Sequence, residues 1–167
     1  MATTATPTYG TIVTHTIGLA TGPLASDANL LAGRQGTAID QTGTDDAIDA
    51  LVGGLITTGT SPTASKQIEV WAYGSYDGGT TYDDAITGTD GNITLVVKPC
   101  LRLLTVIPTN ATSNQAYRWG PYSIAQAFGG IIASKWGIFI VHNTGVALNA
   151  TAGNHNVKHY PVKFTSA

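Results

Sequence analysis

The chain has 167 residues, 43% of them hydrophobic and only 11% charged, with a formal net charge of −2. That balance fits one domain able to bury a core without a disulfide or metal staple, and it excludes a uniformly disordered chain and a strongly basic nucleic-acid binder. No apolar run approaches the ~20 residues of a membrane span, no basic-then-apolar leader opens the sequence, and Cys100 is the single cysteine, so the expectation is a soluble domain made in a reducing compartment.

In chain order, residues 1–8 read as a polar Thr/Ala arm ending at Pro7, mobile unless a partner holds it, and residues 9–167 as one domain. The β-branched run 11–19 predicts a strand cut off by Gly22 and Pro23. Residues 29–40 predict a strand bent at Gly33 or Gly36, with one turn of helix near Asp27 as the alternative. Residues 46–58 begin with helical spacing, but Gly53, Gly54 and a Thr-rich end favour a long strand. Residues 67–76 alternate, with Ile68, Val70, Ala72 and Gly74 on one face and Glu69, Trp71, Tyr73 and Ser75 on the other. The polar, Gly-rich stretch 77–92 reads as a long loop. Further strands are expected over 93–97, 101–107 and 117–119. A short helix follows over 123–130, with Ser123 as its cap, Gln126 completing a capping box and Gly129 as its stop. The apolar run 136–142 suits a strand buried on both faces. Residues 156–164 close the chain, with Pro161 favouring an edge position. About eight strands, frequent turns and one short helix predict an all-β, single β-sandwich of jelly-roll type.

Charge is sparse but segregated. Residues 1–90 hold all ten acids and two bases, a net of −8, whereas residues 91–167 hold six bases and no acid. Either strands of the two halves interleave and average the surface, or faces of opposite sign meet between copies.

Groups that carry chemistry are few. His155 and His159 lie four apart, but on a strand that places them about 13 Å from each other, too far for one zinc ion. Cys100 beside Pro99 has no neighbouring base and reads as a small core residue. Asp77, Asp83, Asp84 and Asp90 cluster in the long loop without an EF-hand spacing, so a solvated loop outweighs a Ca2+ site. Three Asn-x-Thr triplets, at Asn92, Asn110 and Asn149, are explained by an Asn- and Thr-rich composition. The aromatic residues carry more weight. Trp71, Tyr73, Tyr76 and Tyr82 lie on or near one strand face leading into the loop. They fit either core and subunit contacts or a platform that stacks on sugar rings, with Asp77, Asp83 and Asp84 beside it.

Three stretches carry a family likeness: residues 59–77 (GTSPTASKQIEVWAYGSYD), 117–130 (YRWGPYSIAQAFGG) and 136–154 (WGIFIVHNTGVALNATAGN). Over residues 28–165 the chain resembles structural proteins of tailed bacteriophages, with the turn from Asn143 to Asn149 followed by Gly153 and Asn154 as the most telling piece. The resemblance implies a virion protein made in the host cytoplasm, most like a jelly-roll capsid decoration (cement) protein. Such proteins form homotrimers on the capsid surface and lock neighbouring subunits of the major capsid (coat) protein together. It supplies no catalytic, cofactor or metal residue, and it implies no direct contact with nucleic acid or membrane. The alternative is a carbohydrate- or receptor-binding module of the virion that reads a surface glycan through Trp71, Tyr73 and the nearby loop aspartates. Edge pairing and the 77–92 loop are the expected intersubunit contacts.

Overall fold

The computed structural model describes residues 5–41 and 47–166. They form β1 (Ala5–Tyr9), β2 (Val13–Thr14), β3 (Ala32–Gln35), β4 (Ile39–Asp40), β5 (Asp49–Thr57), β6 (Lys66–Ser75), β7 (Gly91–Thr94), β8 (Arg102–Thr109), β9 (Ala116–Ser123), α1 (Ile124–Ala127), β10 (Lys135–His142) and β11 (Asn156–Ser166). Sheet I has the order β1-β11-β5-β9, with β2 also on β11. Sheet II has the order β7-β3-β10-β6-β8, with β4 also on β10. Every pairing is antiparallel.

β1 and β2 are two pieces of one interrupted strand, as are β3 and β4, which leaves eight main strands with β7 added at an edge. Counted in chain order, the eight lie 1-8-3-6 in sheet I and 2-7-4-5 in sheet II, the double Greek key of a jelly roll. The facing sides of the sheets enclose the main core: Ala50, Val52, Ile56, Trp119 and Val157 from sheet I against Ile68, Val70, Ala72, Trp136, Ile138 and Ile140 from sheet II. Trp136, Ile138 and Ile140 are fully buried, and each large apolar side chain so buried stabilises the fold by about 1.5–3 kcal/mol.

β10 is buried on both faces, as its apolar run predicts. Phe139 and Val141 point away from sheet I into a second core with Tyr73, Ile86, Leu95 and Leu101. The segment between β6 and β8 supplies that cover by folding down over sheet II as a third layer. Gln35 and Arg34 of β3 hold it in place. The Gln35 amide bonds both the backbone N–H and the hydroxyl of Thr87 (2.9 and 2.6 Å). The Arg34 guanidinium grips Asp90 with two 2.8 Å bonds. Burial raises the Asp90 carboxyl, but Arg34 and the Gly18 amide outweigh it and leave the group below its usual range.

Several expected elements take a different form. Of residues 1–8, assigned to a mobile arm, residues 5–8 belong to strand β1, paired along β11 from Ala5↔Ser166 to Tyr9↔Val162; residues 1–4 lie outside the described residues. Of the run 11–19 only Val13 and Thr14 are strand, because the chain then bridges the sheets. His15 N–H still bonds Val157 O in sheet I (2.9 Å), whereas Thr16 O accepts from Thr37 N–H beside sheet II (2.8 Å). The strand expected over 93–97 ends at Thr94, where the amides of Val96 and Val97 turn onto the Asp84 carboxylate (2.8 Å each).

Pro161 is not on an edge strand: β11 lies between β1 and β5. Its carbonyl accepts from Gly10 N–H (2.8 Å) at the gap where β1 has ended and β2 has not begun. The missing proline donor faces that gap, so no ladder bond is lost. The predicted helix is a single turn. Ser123 accepts from Gln126 N–H, and Gly129 at φ +85° lets Gly130 N–H reach back to Ala125 O (2.7 Å), the Schellman stop that a glycine there permits. Asn110 and Asn149 are turn residues, each accepting from the amide two positions on.

The first residues test the strand assignment directly. Removing residues 1–8 takes away four of the five residues that pair β1 with β11. It is expected to cost on the order of 2 kcal/mol and to lower the melting temperature measurably, whereas loss of a mobile arm leaves it unchanged. A second test sits at Gly137, where the Tyr73 ring lies over the backbone opposite and an added Cβ meets its Cζ and Oη. Gly137→Ala is expected to destabilise by roughly 1–3 kcal/mol in denaturant unfolding.

Candidate interaction surface

The seven residues singled out from the sequence do not form one platform. Tyr73 is a core residue, 2% exposed. Its hydroxyl donates to Gly36 O (2.5 Å) and its ring meets Tyr82 edge-on at 5.7 Å. Burial, then the neighbouring Tyr82 and Asp90, push its phenol well above the ordinary range. Tyr82 is half-buried against it. Trp71 is half-buried as well: its Nε1 donates to Glu69 (2.9 Å), and the Lys98 ammonium stands 5.2 Å over its ring. Lys98 also pairs with Glu69 at 2.6 Å, and Gln67 donates to the other carboxylate oxygen. Glu69, the single glutamate, is thus satisfied on the outer face of sheet II. Of the four rings only Tyr76 stands clear, 90% exposed at the turn after β6.

The loop aspartates hold the chain. Asp77 accepts from the Ser75 hydroxyl (2.6 Å) and Thr81 N–H (2.9 Å), and these bonds, the Ser75 one foremost, bring its carboxyl down to about 2. Asp84 receives the amides that end β7, and Asp83 is exposed. Among the described residues no three His, Cys, Asp or Glu side chains stand close enough to hold a metal ion.

The surface that the sequence did not reveal is the outer face of sheet I. Along β11, Val157, His159 and Pro161 point inward while Lys158, Tyr160 and Phe164 stand exposed. The exposed rings of Tyr9 and Tyr160 meet edge-on at 6.5 Å. Tyr9, Leu51, Pro121 and Tyr160 line an apolar groove that runs on, past Gly53 and Gly54, to Arg118 and Lys158. The two glycines form its floor because β9 bulges opposite them. A Cβ on Gly53 would stand 2.8 Å from Trp119 O, and one on Gly54 would meet Asn156 O. The signal was present as the period-two pattern of 157–164, but that run reads only as a closing strand with Pro161 favouring an edge.

The histidines are structural. His155 accepts Thr57 N–H at Nδ1 (3.3 Å) and donates from Nε2 to Asn149 O (2.7 Å). His142 donates from Nε2 to Leu24 O (3.0 Å) and meets Thr144 Oγ1 at 2.9 Å. His159 pairs with His15 (Nδ1 to Nε2, 3.0 Å), not with His155, and both rings pack edge-on against Trp136 at 5.0–5.1 Å. Burial, then His159 beside it, brings His15 down to about 3, and burial likewise lowers His142 and His155.

Compared with protein-family models, curated proteins and solved structures, the chain matches none. The likeness to phage virion proteins therefore rests on the three stretches quoted above.

These histidines set a pH dependence. A folded-state value below the unfolded 6.5 means that the unfolded chain binds the extra proton. The stability is then complete above about pH 6.5 and is lost as pH falls toward the folded value. Unfolding free energy is expected to decline between pH 6.5 and 4, by about 1.4 kcal/mol per pH unit for each histidine that stays neutral. In His15→Gln the same titration by denaturant unfolding should lose one proton's worth of slope. An unchanged slope would place the His15 ring in a solvated setting.

Proposed function

We propose that the chain is a structural protein of a tailed-phage virion, a capsid decoration (cement) protein that sits on the capsid surface as an oligomer, a trimer. It stabilises the head by contact with the major capsid protein and not by catalysis. The observation that carries this reading is the outer face of sheet I, which the described residues leave uncovered: an apolar groove flanked by exposed aromatic rings on a jelly-roll scaffold. Large exposed apolar patches on a folded domain mark interaction sites. The disposition of polar groups supports it: Asp77, Asp84, Glu69, His142 and His155 each hold backbone or neighbouring side chains of the fold. The family likeness of residues 28–165 supplies the capsid setting. A glycan-binding module has less support, because Tyr73 lies in the core and Lys98 sits over the Trp71 ring.

The test is to titrate the purified native chain onto shells assembled from the coat protein of the same virion. Co-sedimentation should saturate at a fixed ratio to coat subunits, and the temperature at which the shells open should rise by several degrees. Shells that neither bind the chain nor gain heat resistance would overturn the reading.

A further inference from the structure

We infer that copies of this chain associate head to tail, with the outer face of sheet I of one copy seated on the loop layer over sheet II of the next. Two patches on opposite sides of one molecule match in charge and in polarity. On sheet I, Arg118 and Lys158 are exposed at one end of the groove and make no ion pair among the described residues. Asp49, on the same face, is turned onto the amides of Ala50 and Ala125 (2.7 and 2.8 Å). On the loop layer the signs are reversed. Asp77, Asp83 and Asp84 are exposed and make no ion pair among the described residues, and Asp77 and Asp84 accept backbone amides besides. Of the nearby cations, Lys98 and Lys135 are neutralised by Glu69 and Asp40, and Arg102 is turned onto Pro99 O and Leu101 O.

The apolar parts match too. The loop layer presents Val96 (78% exposed), Val97 (52%) and Tyr76 (90%) beside its acids, and sheet I offers a groove beside its bases. Asp84 links the two features of the layer, because its carboxylate holds the backbone of Val96 and Val97 in place. One copy cannot satisfy itself, since sheet I and the loop layer are separated by sheet II. Two sheet I faces brought together would bring Arg118 and Lys158 of both copies and no unengaged carboxylate of the described residues to pair with them, since Asp49 is held by amides. A second copy offering its acidic, apolar loop layer meets both requirements. The contact is then heterologous, and with the patches on opposite sides of one copy it propagates as an open chain unless each interface also turns the next copy.

The inference concerns self-association of the chain and needs no capsid. Its failure and failure of the capsid assay are therefore separate results. The experiment is sedimentation velocity of the native chain and two double variants, all first shown to be folded by their melting curves. Arg118→Glu with Lys158→Glu blocks the sheet face; Asp83→Lys with Val96→Ser blocks the loop layer. The native chain should associate at low salt and dissociate as salt screens the rim charges, and each variant alone should associate at least tenfold more weakly. An equimolar mixture of the two variants should form a dimer and nothing larger, because one intact patch of each kind remains. Three results would overturn the inference: a native chain that stays monomeric into the hundreds of micromolar at low salt, a loop variant that associates as the native chain does, or a mixture that stays monomeric.

Discussion

Strand β10 requires two cores, and much of the molecule follows from that requirement. Its residues are buried on both faces, so the apolar surface of Trp136, Ile138 and Ile140 needs sheet I, while that of Phe139 and Val141 needs a cover that no third sheet provides. The polar segment after β6 takes that place. A loop can lie over apolar side chains only if its own amides and carbonyls find partners. The side chains that anchor it (Gln35, Arg34, Asp77, Asp84 and the Ser75 hydroxyl) come from the loop itself and from the two strands that flank β10.

This explains why groups that resemble a binding site in the sequence are structural in the fold. Four aspartates within fourteen residues suggest an ion, yet three of them accept bonds from backbone amides or grip an arginine. A buried tyrosine hydroxyl, a buried carboxylate under a lysine and the doubly engaged rings of His142 and His155 are likewise requirements of burial. What remains for interaction is the surface that the architecture leaves uncovered: one sheet face with a groove, and the outer side of the loop layer.

The strand pattern of 67–76, the two-sided run 136–142, the bend between β3 and β4 and the capped turn at Ser123 were legible in the sequence, because each depends on neighbours a few positions away. Less legible was anything fixed by residues far along the chain. Tyr73, on the aromatic-polar face of an alternating strand, fits either a core or a platform until the loop from 77 onward is known to lie over it. Residues 5–8 look like a tail until β11, more than 150 positions later, pairs with them. Pro161 illustrates the limit well. The rule that proline avoids inner strands is sound, but a break between β1 and β2 supplied the open edge that the rule demands.

Proline has a wider consequence for this molecule. Sheet I ends in β1 and β9 and sheet II in β7 and β8, and three of those four strands carry a proline: Pro7, Pro121 and Pro108. β7, the fourth, is only four residues long. A bare strand edge is a template for endless sheet extension, and proline or brevity blunts it. A protein that accumulates at high local density meets copies of itself continually, and here the backbone edges are poor places for those meetings to become permanent. Encounters are left to side chains on the faces, whose contacts are reversible and depend on register and charge, so crowding need not lead to amyloid.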